Sequence, residues 1–587
     1  MGRNTITTRF TADFETVTWK ENETSVWSWA VSEIGNSDQT EWGTDIESFL
    51  EWCKTSGNSI IYFHNLKFDG EFIISWLLNH GYVCNNGSKG NPGKSFKTLI
   101  SDMGVFFQIK IYFTTTKHVT IYDSLKLIPI PVEKIPKGFG LDIKKLDLDY
   151  GKEREKGYIP NKEELDYILN DVKIPALALE KLFEINLTKM TIAGNAMSEY
   201  KMGLGRRTFE HFYPILKFEI DQEIRTAYRG GFTYLNPIYQ NKRVGSGCVI
   251  DVNSLYPYVL YEKKLPICTP KFFEGRYETD KIYELYIQRI SCMFELKDGK
   301  IPTIQIKDDD RFSQTEYLES SKGCTVVLTL TNIDLKLFFE NYDVECLEYL
   351  GGFKFRSITG LFEKYIDKWM GNKIEAKKNE NTALYTISKI MLNGLYGKFG
   401  LNPKCRSKTP YLEDGIVKYK LENEEIRDGI YIPMAVFVTA YAREKTIRTS
   451  QAIRDYSIKK YGVDKYIYSD TDSCHTTLTP EELTQICDID DYKLGAWKIE
   501  DEFCRAKFVR AKTYVEEIWG KDKTGYHLKI TCAGLPEDCY NQVTFDNFED
   551  GLQVTGKLAY KHVKGGVKLV ETPFTINKNS LIARFRW

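Results

Sequence analysis

Tyr468-Ser469-Asp470-Thr471-Asp472-Ser473 sets two carboxylates two positions apart in a β-rich stretch. More than two hundred residues earlier, Ile250-Asp251-Val252-Asn253-Ser254-Leu255-Tyr256-Pro257 puts another acid at the end of an apolar strand, followed by a tight turn. Backbone N–H groups in such a turn can face a triphosphate. Acids gathered from distant strands suit a pair of divalent cations, and two-cation sites make or break phosphodiester bonds. Between the two stretches, Lys389-Ile390-Met391-Leu392-Asn393-Gly394-Leu395-Tyr396-Gly397 carries Lys389, Asn393 and Tyr396 at i, i+4 and i+7, one stripe of a helix. The lysine can hold phosphate and the tyrosine can stack near a base. The competing reading of that stripe alone is an amphipathic helix with a core tyrosine.

A second acidic set lies upstream. Asp13-Phe14-Glu15 puts two carboxylates on one side of a strand. Asn65 stands four residues before Asp69, and Tyr167 four before Asp171. Residues four apart share a helix face, so Tyr167 can orient a water activated by a metal that Asp171 partly holds. Taken singly, each piece is weak, because a DxE pair is usually surface charge. All of them in order within 190 residues point to a second nucleic-acid chemistry, one that removes nucleotides where the other adds them.

At 587 residues the chain exceeds the size at which a single core stops growing, so several domains are expected. Net charge is -1, and a nucleic-acid partner must therefore be held by local basic surface. Residues 361–410 carry ten Lys or Arg against four acids, although a solvated helix face gives similar runs. The thirteen cysteines never fall in CxxC spacing, which argues for reduced thiols and against a disulfide framework or zinc knuckle. No apolar leader and no run of about 18 apolar residues is present, so a soluble, unprocessed protein is expected, without a membrane partner.

Residues 1 to about 190 read as an α/β unit, with β-rich runs at 9–14, 59–63, 105–113 and 118–122 before a helix over 161–187. Ile301 to Ile306 reads as strand-like, residues 331–341 as a helix, and 365–400 as a helical pair. Asp414-Gly415 is a two-residue hairpin turn signal, and the hairpin is expected to project.

The strings DxxSLYP, Kx3NxxYG and YxDTDS, downstream of the DxE and Tyr-x-x-x-Asp pieces, resemble family B DNA polymerases that carry a DEDD-type 3'-5' proofreading exonuclease. Tyr228-Arg229-Gly230-Gly231, residues 301–307, Gly360-Leu361-Phe362, Thr439-Ala440-Tyr441-Ala442-Arg443, Lys512-Thr513-Tyr514 and Cys532-Ala533-Gly534 narrow the resemblance to the protein-primed enzymes of small tailed Bacillus phages, over about residues 9–576. That resemblance implies an α+β multidomain fold: an RNase H-like α/β exonuclease domain (1–191), then a right-hand polymerase. Its palm would span 192–262 and 432–535, its fingers 365–400, and its thumb and tail 536–587. Insertions at 263–364 and 401–431 would dock a terminal protein and help enclose DNA.

The resemblance also implies site roles. Asp251, Asp472 and the Val252 carbonyl would hold two Mg2+ ions, with Mn2+ as a substitute and Asp470 supporting. Asp13, Glu15, Asp69 and Asp171 would hold two more, assisted by Tyr167 and Lys145. Tyr256 would lie under the incoming sugar and exclude a 2'-OH, with Lys377, Lys389, Asn393 and Tyr396 around the nucleotide. Asn65, Phe68, Phe72, Ser124 and Leu125 would grip single-stranded DNA. Tyr228, Gly230, Gly231, Thr439, Arg443, Lys512 and Tyr514 would contact primer-template DNA, the last pair from one strand face. Partners implied are primer-template and single-stranded DNA, dNTPs and a terminal protein as primer, with a monomer acting in the host cytoplasm. Gly394 departs from the family's usual serine, removing a hydroxyl near the DNA, and residues 579–587 extend past its usual end. Two other readings are a DNA-primed repair or translesion polymerase without a terminal protein, and a catalytically silent DNA-binding scaffold; the intact acids argue against the last.

Overall fold

A computed structural model of the chain describes residues 7–87, 90–306, 311–313, 316–520 and 525–577. The tail 579–587 and Lys307, both singled out above, lie outside the described residues.

The first unit is built on an eight-stranded sheet. Strand Arg9–Thr16 pairs antiparallel with Val26–Glu33 and parallel with Ile60–Phe63, which in turn runs parallel to His118–Asp123. The central strands are covered on both faces, so Ile61, Phe63, Val119 and Ile121 are fully buried. Helix Lys162–Glu184 starts at a capping box formed by Asn161 and Glu164 and lies against the first two strands. The Thr11 hydroxyl donates to the Val172 carbonyl at 2.6 Å, which fixes the helix over the strand that carries Asp13 and Glu15.

The second sheet draws strands from three distant stretches of chain, in the order Tyr526–Cys532, Thr513–Trp519, Trp497–Arg510, Gly247–Val252, Ser473–Thr476, Tyr466–Asp470 and Thr233–Leu235. Asp251 pairs with Ser473, and Ser473 with Asp470, so the register alone gathers the acids at one end of the sheet. The 30-residue helix Ile432–Tyr461 packs along it, opened by a proline in its first turn and closed by left-handed Gly462. Helices Glu363–Lys378 and Thr382–Phe399 pack as a pair. A four-stranded sheet (Leu265–Phe273, Tyr342–Ile358, Leu285–Leu296, Val326–Thr331) forms the segment between.

Two expectations change. Residues 301–306 form no strand beyond a bridge from Ile304 to Leu318. Pro302 has no N–H, and the N–H groups of Thr303 and Ile304 donate to the Tyr342 hydroxyl instead of to a ladder. The hairpin of Lys408–Glu413 and Ile416–Leu421 does form around Asp414-Gly415, both with positive φ. It does not project freely, because Val417 is 2 % exposed within the core of the first unit. A second hairpin, Gln553–Val563 with Gly566–Thr575, likewise inserts Val567 there. All thirteen cysteines are free, and no described helix is long and apolar enough to cross a membrane.

Candidate active sites

In the first site, Asp13 and Glu15 rise from one strand and meet Asp171 from the helix above, with carboxylate oxygens all within 4.8 Å of one another. Asp69, in the first turn of helix Leu66–Asn79, is 3 % exposed and adjoins them. Burial, and then repulsion by Asp171, raises the Asp13 carboxyl to about 7. Burial and then Asp13 push Glu15 and Asp69 well above the usual carboxylate range. The Lys145 ammonium lies 3.0 Å from Asp171, and it and Arg154 are set against four acids. One oxygen each of Asp69 and Asp171 is buried with no hydrogen-bond partner. Buried carboxylates left unpaired among like charges are costly, and divalent cations are the partners whose charge and oxygen preference answer that cost. The Tyr167 hydroxyl shares a 2.7 Å hydrogen bond with that of Tyr150, a residue not identified from the sequence.

The second site lies where strands Gly247–Val252 and Tyr466–Asp470 end. Burial and then Asp251 raise the Asp472 carboxyl to about 6, and burial also raises Asp251 against the pull of Lys498, 3.2 Å away. The Asp472 carbonyl accepts from the Val252 N–H at 2.8 Å, locking the two acidic turns together. Thr471, between the acids, and Ser254, after Asp251, both hold positive φ, a strain paid for by the surrounding packing. Gly231 explains part of that packing: a Cβ there would lie 2.5 Å from the Thr471 hydroxyl, so only glycine lets the loop press against the acidic turn. Tyr256 stacks on Tyr396 with ring centroids 3.9 Å apart, bringing together two residues proposed for the nucleotide.

Lysines complete the site. Lys389 and Asn393 are exposed on their helix, and exposed Lys377 sets its ammonium 4.6 Å from the centre of the Tyr492 ring. Sequence reasoning missed Lys373, whose ammonium donates to the Ser254 hydroxyl at 3.2 Å. Burial first, then the charges of Lys498 and Lys389, lower its pKa. The legible signal was position, since Lys373 stands four residues before Lys377 on one helix face. Lys498 was also missed, because it reaches Asp251 only through strand pairing.

Several expected DNA contacts lie inside the protein. Phe72 is 1 % exposed and packs against Gly566, and the Ser124 hydroxyl is buried, bonded to His64 and the Phe63 carbonyl. Thr439 turns its hydroxyl back to the carbonyls of Ala435 and Val436 in its own helix. Arg443 spends its donors on Asp334 and on the carbonyls of Arg229 and Gly230, so it holds the Gly-rich loop rather than DNA. Lys512 and Tyr514 do not share a strand face. Lys512 sits in a left-handed turn with its ammonium 2.6 Å from both oxygens of Asp470, while Tyr514 is buried against Phe508 and Tyr468. Asn65, Phe68, Leu125 and Tyr228 are partly accessible and Gly230 is exposed. At Gly394 a Cβ would meet Ile192 at 2.9 Å, so this glycine packs closely against helix Ile192–Leu204.

Comparisons with known proteins agree on one family. Residues 53–486 match the profile of DNA polymerase type B, organellar and viral. The DNA polymerase of Bacillus phage B103 is 43% identical, with 97% of this chain and 99% of that protein covered. Among solved structures, phi29 DNA polymerase with primer-template DNA and incoming nucleotide superimposes with a TM-score of 0.91 at 40% identity, over 97% of this chain and 100% of that one. The same phi29 enzyme with single-stranded DNA gives 0.89 at equal identity and coverage.

Proposed function

This chain belongs to the organellar and viral type B DNA polymerases and is a DNA-directed DNA polymerase; from that premise we propose how its two acidic sites divide the work. The second site extends a primer on a DNA template. The first removes mispaired 3' ends. What carries the reading is the convergence of Asp251 and Asp472, both raised by burial, beside the Tyr256–Tyr396 stack and the Lys373–Lys498 pair.

Asp251 and Asp472, with the Val252 carbonyl, would hold Mg2+ in the second site; Asp13, Glu15, Asp69 and Asp171 would hold it in the first. When bound, such cations supply the positive charge that activates the attacking oxygen and neutralises the leaving one. Lys373 and Lys498 bind the triphosphate oxygens, and Lys389 and Lys377 extend that positive field. The Tyr256 ring, fixed flat by Tyr396, leaves no room for a 2'-OH and so selects deoxyribonucleotides. Lys512 holds Asp470, offsetting the negative charge that this acid sets beside Asp472. In the first site, Tyr167, steadied by Tyr150, orients the attacking water, and Lys145 restrains Asp171.

The phi29 enzyme is described with primer-template DNA, incoming nucleotide and single-stranded DNA, which supports the same ligands here. We assign 1–191 to the exonuclease, 192–262 and 432–535 to the palm, 365–400 to the fingers and 536–587 to the thumb. The segment 263–364 docks a terminal protein whose hydroxyl primes replication. The enzyme works as a monomer in the cytoplasm of an infected bacterium and displaces the non-template strand as it copies. Asp251→Asn is expected to abolish extension while single strands are still degraded; Asp13→Ala with Glu15→Ala is expected to do the converse. Extension that survives the first change refutes the second site, and undiminished degradation after the second refutes the first. One labelled nucleotide offered with a candidate terminal protein tests priming, since only a protein-primed enzyme yields a covalent adduct.

A further inference from the structure

Away from both acidic sites, one buried carboxylate joins three parts of the chain that are far apart in sequence. Glu71, on helix Leu66–Asn79, is 2 % exposed. One of its oxygens accepts the Tyr419 hydroxyl at 2.7 Å, from the hairpin 408–421. The other lies 3.1 Å from Nε2 of His562, on the hairpin 553–575. The rings of Tyr419 and His562 meet edge to face with centroids 5.9 Å apart, and burial first, then Glu71, pushes the Tyr419 phenol well above its ordinary range. Neither hairpin is rooted in the first unit. The earlier one leaves the helix Thr382–Phe399 and returns to Ile432–Tyr461, while the later one follows the strand Tyr526–Cys532 of the second sheet.

Both hairpins therefore cross from the polymerising unit to the exonucleolytic one, and the two also meet. The Asp414-Gly415 turn packs against Lys564, and Thr24 donates its N–H to the Lys564 carbonyl at 2.9 Å. The result is a closed circuit of protein. Apolar anchors alone, Val417 and Val567, would let each hairpin leave independently. A buried carboxylate with exactly two oxygens and two partners does not, because losing either partner leaves a charged oxygen desolvated and unpaired.

We propose that Glu71 is a positioning residue that latches both hairpins to the first unit and so keeps the circuit shut around DNA during synthesis. The proposal rests on the reading of both units given above. The latch acts on how long the enzyme stays on its template and leaves the chemistry of nucleotide addition alone.

The test compares Glu71→Ala, Glu71→Gln and a deletion of residues 408–421. Two quantities are read: product length in a single binding event, with excess unlabelled DNA as trap, and the rate of adding one nucleotide to saturating primer-template. Glu71→Ala removes both hydrogen bonds and is expected to shorten products by at least about tenfold, the factor that loss of one of them would bring. Its single-addition rate is expected to stay unchanged, and Glu71→Gln, whose carbonyl can still accept from Tyr419 and whose amide can donate to His562 Nε2 in the Nδ1–H tautomer, to recover most of the length. Full-length products from Glu71→Ala, with short ones from the deletion, overturn the latch and leave the enclosure standing. Full-length products from both overturn the enclosure as well. If Glu71→Ala loses its cooperative thermal transition, the Tyr419→Phe, His562→Phe double variant, which removes both donors to Glu71, is read by the same criteria.

Discussion

Asp13→Asn should make the metal-free protein more stable, although it removes a residue of the first site. The Asp13 carboxyl rises from an ordinary 3.8 to about 7, through burial and then the charge of Asp171. The fold therefore favours its protonated form. Its contribution to stability is fully present below about pH 4, is lost as pH rises through about 7, and at pH 8 the ionised group works against the native state. At about 1.4 kcal/mol per pH unit the rise corresponds to about 4 kcal/mol, and partial solvent access to Asp13 reduces this to about 2–4 kcal/mol. Asparagine never ionises, so the variant should match the parent at pH 4 and exceed it by that margin at pH 8 in chelator. Six of the ten tryptophans fall within residues 1–191, so urea unfolding followed by their fluorescence reports this unit. Adding Mg2+ or Mn2+ at pH 8 should reverse the order, because the parent gains binding energy that the variant lacks. A variant no more stable than its parent at pH 8 in chelator would refute the idea that burial, and then repulsion by Asp171, sets the ionised Asp13 against the native state.

Other expectations concern the second site and its supports. Arg443→Met should cost about 3–5 kcal/mol, since it strands the buried Asp334, and Asp334→Asn in the same chain should recover part of that loss; a double-mutant cycle by denaturant unfolding measures the coupling, and strict additivity would contradict it. Gly231→Ala, whose Cβ would strike Thr471 at 2.5 Å, should lower primer extension by at least about tenfold, equivalent to about 1.4 kcal/mol, while degradation of single strands persists. Lys512→Ala frees Asp470 and should reduce the rate of nucleotide addition more than it weakens nucleotide binding, a split visible in single-turnover kinetics at varied dNTP.

What the sequence made legible follows from how far apart the cooperating residues are. Periodicity announced the helices: Lys162–Glu184 falls within the stretch 161–187, and Tyr167 and Asp171 share its face. The Asp414-Gly415 turn fixed its hairpin for the same local reason. Where the hairpin goes was not local, and it docks through Tyr419 on Glu71, 348 residues away. Arg443, Thr439, Ser124 and Phe72 stand in strings typical of DNA contacts, yet their burial depends on partners such as Asp334 and Gly566 that no spacing reveals. Lys498 is invisible for the same reason, since its meeting with Asp251 is a matter of strand register. Lys512 shows the opposite failure, because alternation assumed a strand where the backbone turns through positive φ.

The central claim is that two separate sets of acids seat divalent cations in one chain. Anomalous diffraction from crystals soaked in Mn2+ tests it most directly. The account predicts density between Asp251 and Asp472, and again among Asp13, Glu15, Asp69 and Asp171. Crystals that show Mn2+ at neither cluster, or with Asp251 and Asp472 holding no shared ion, would contradict it.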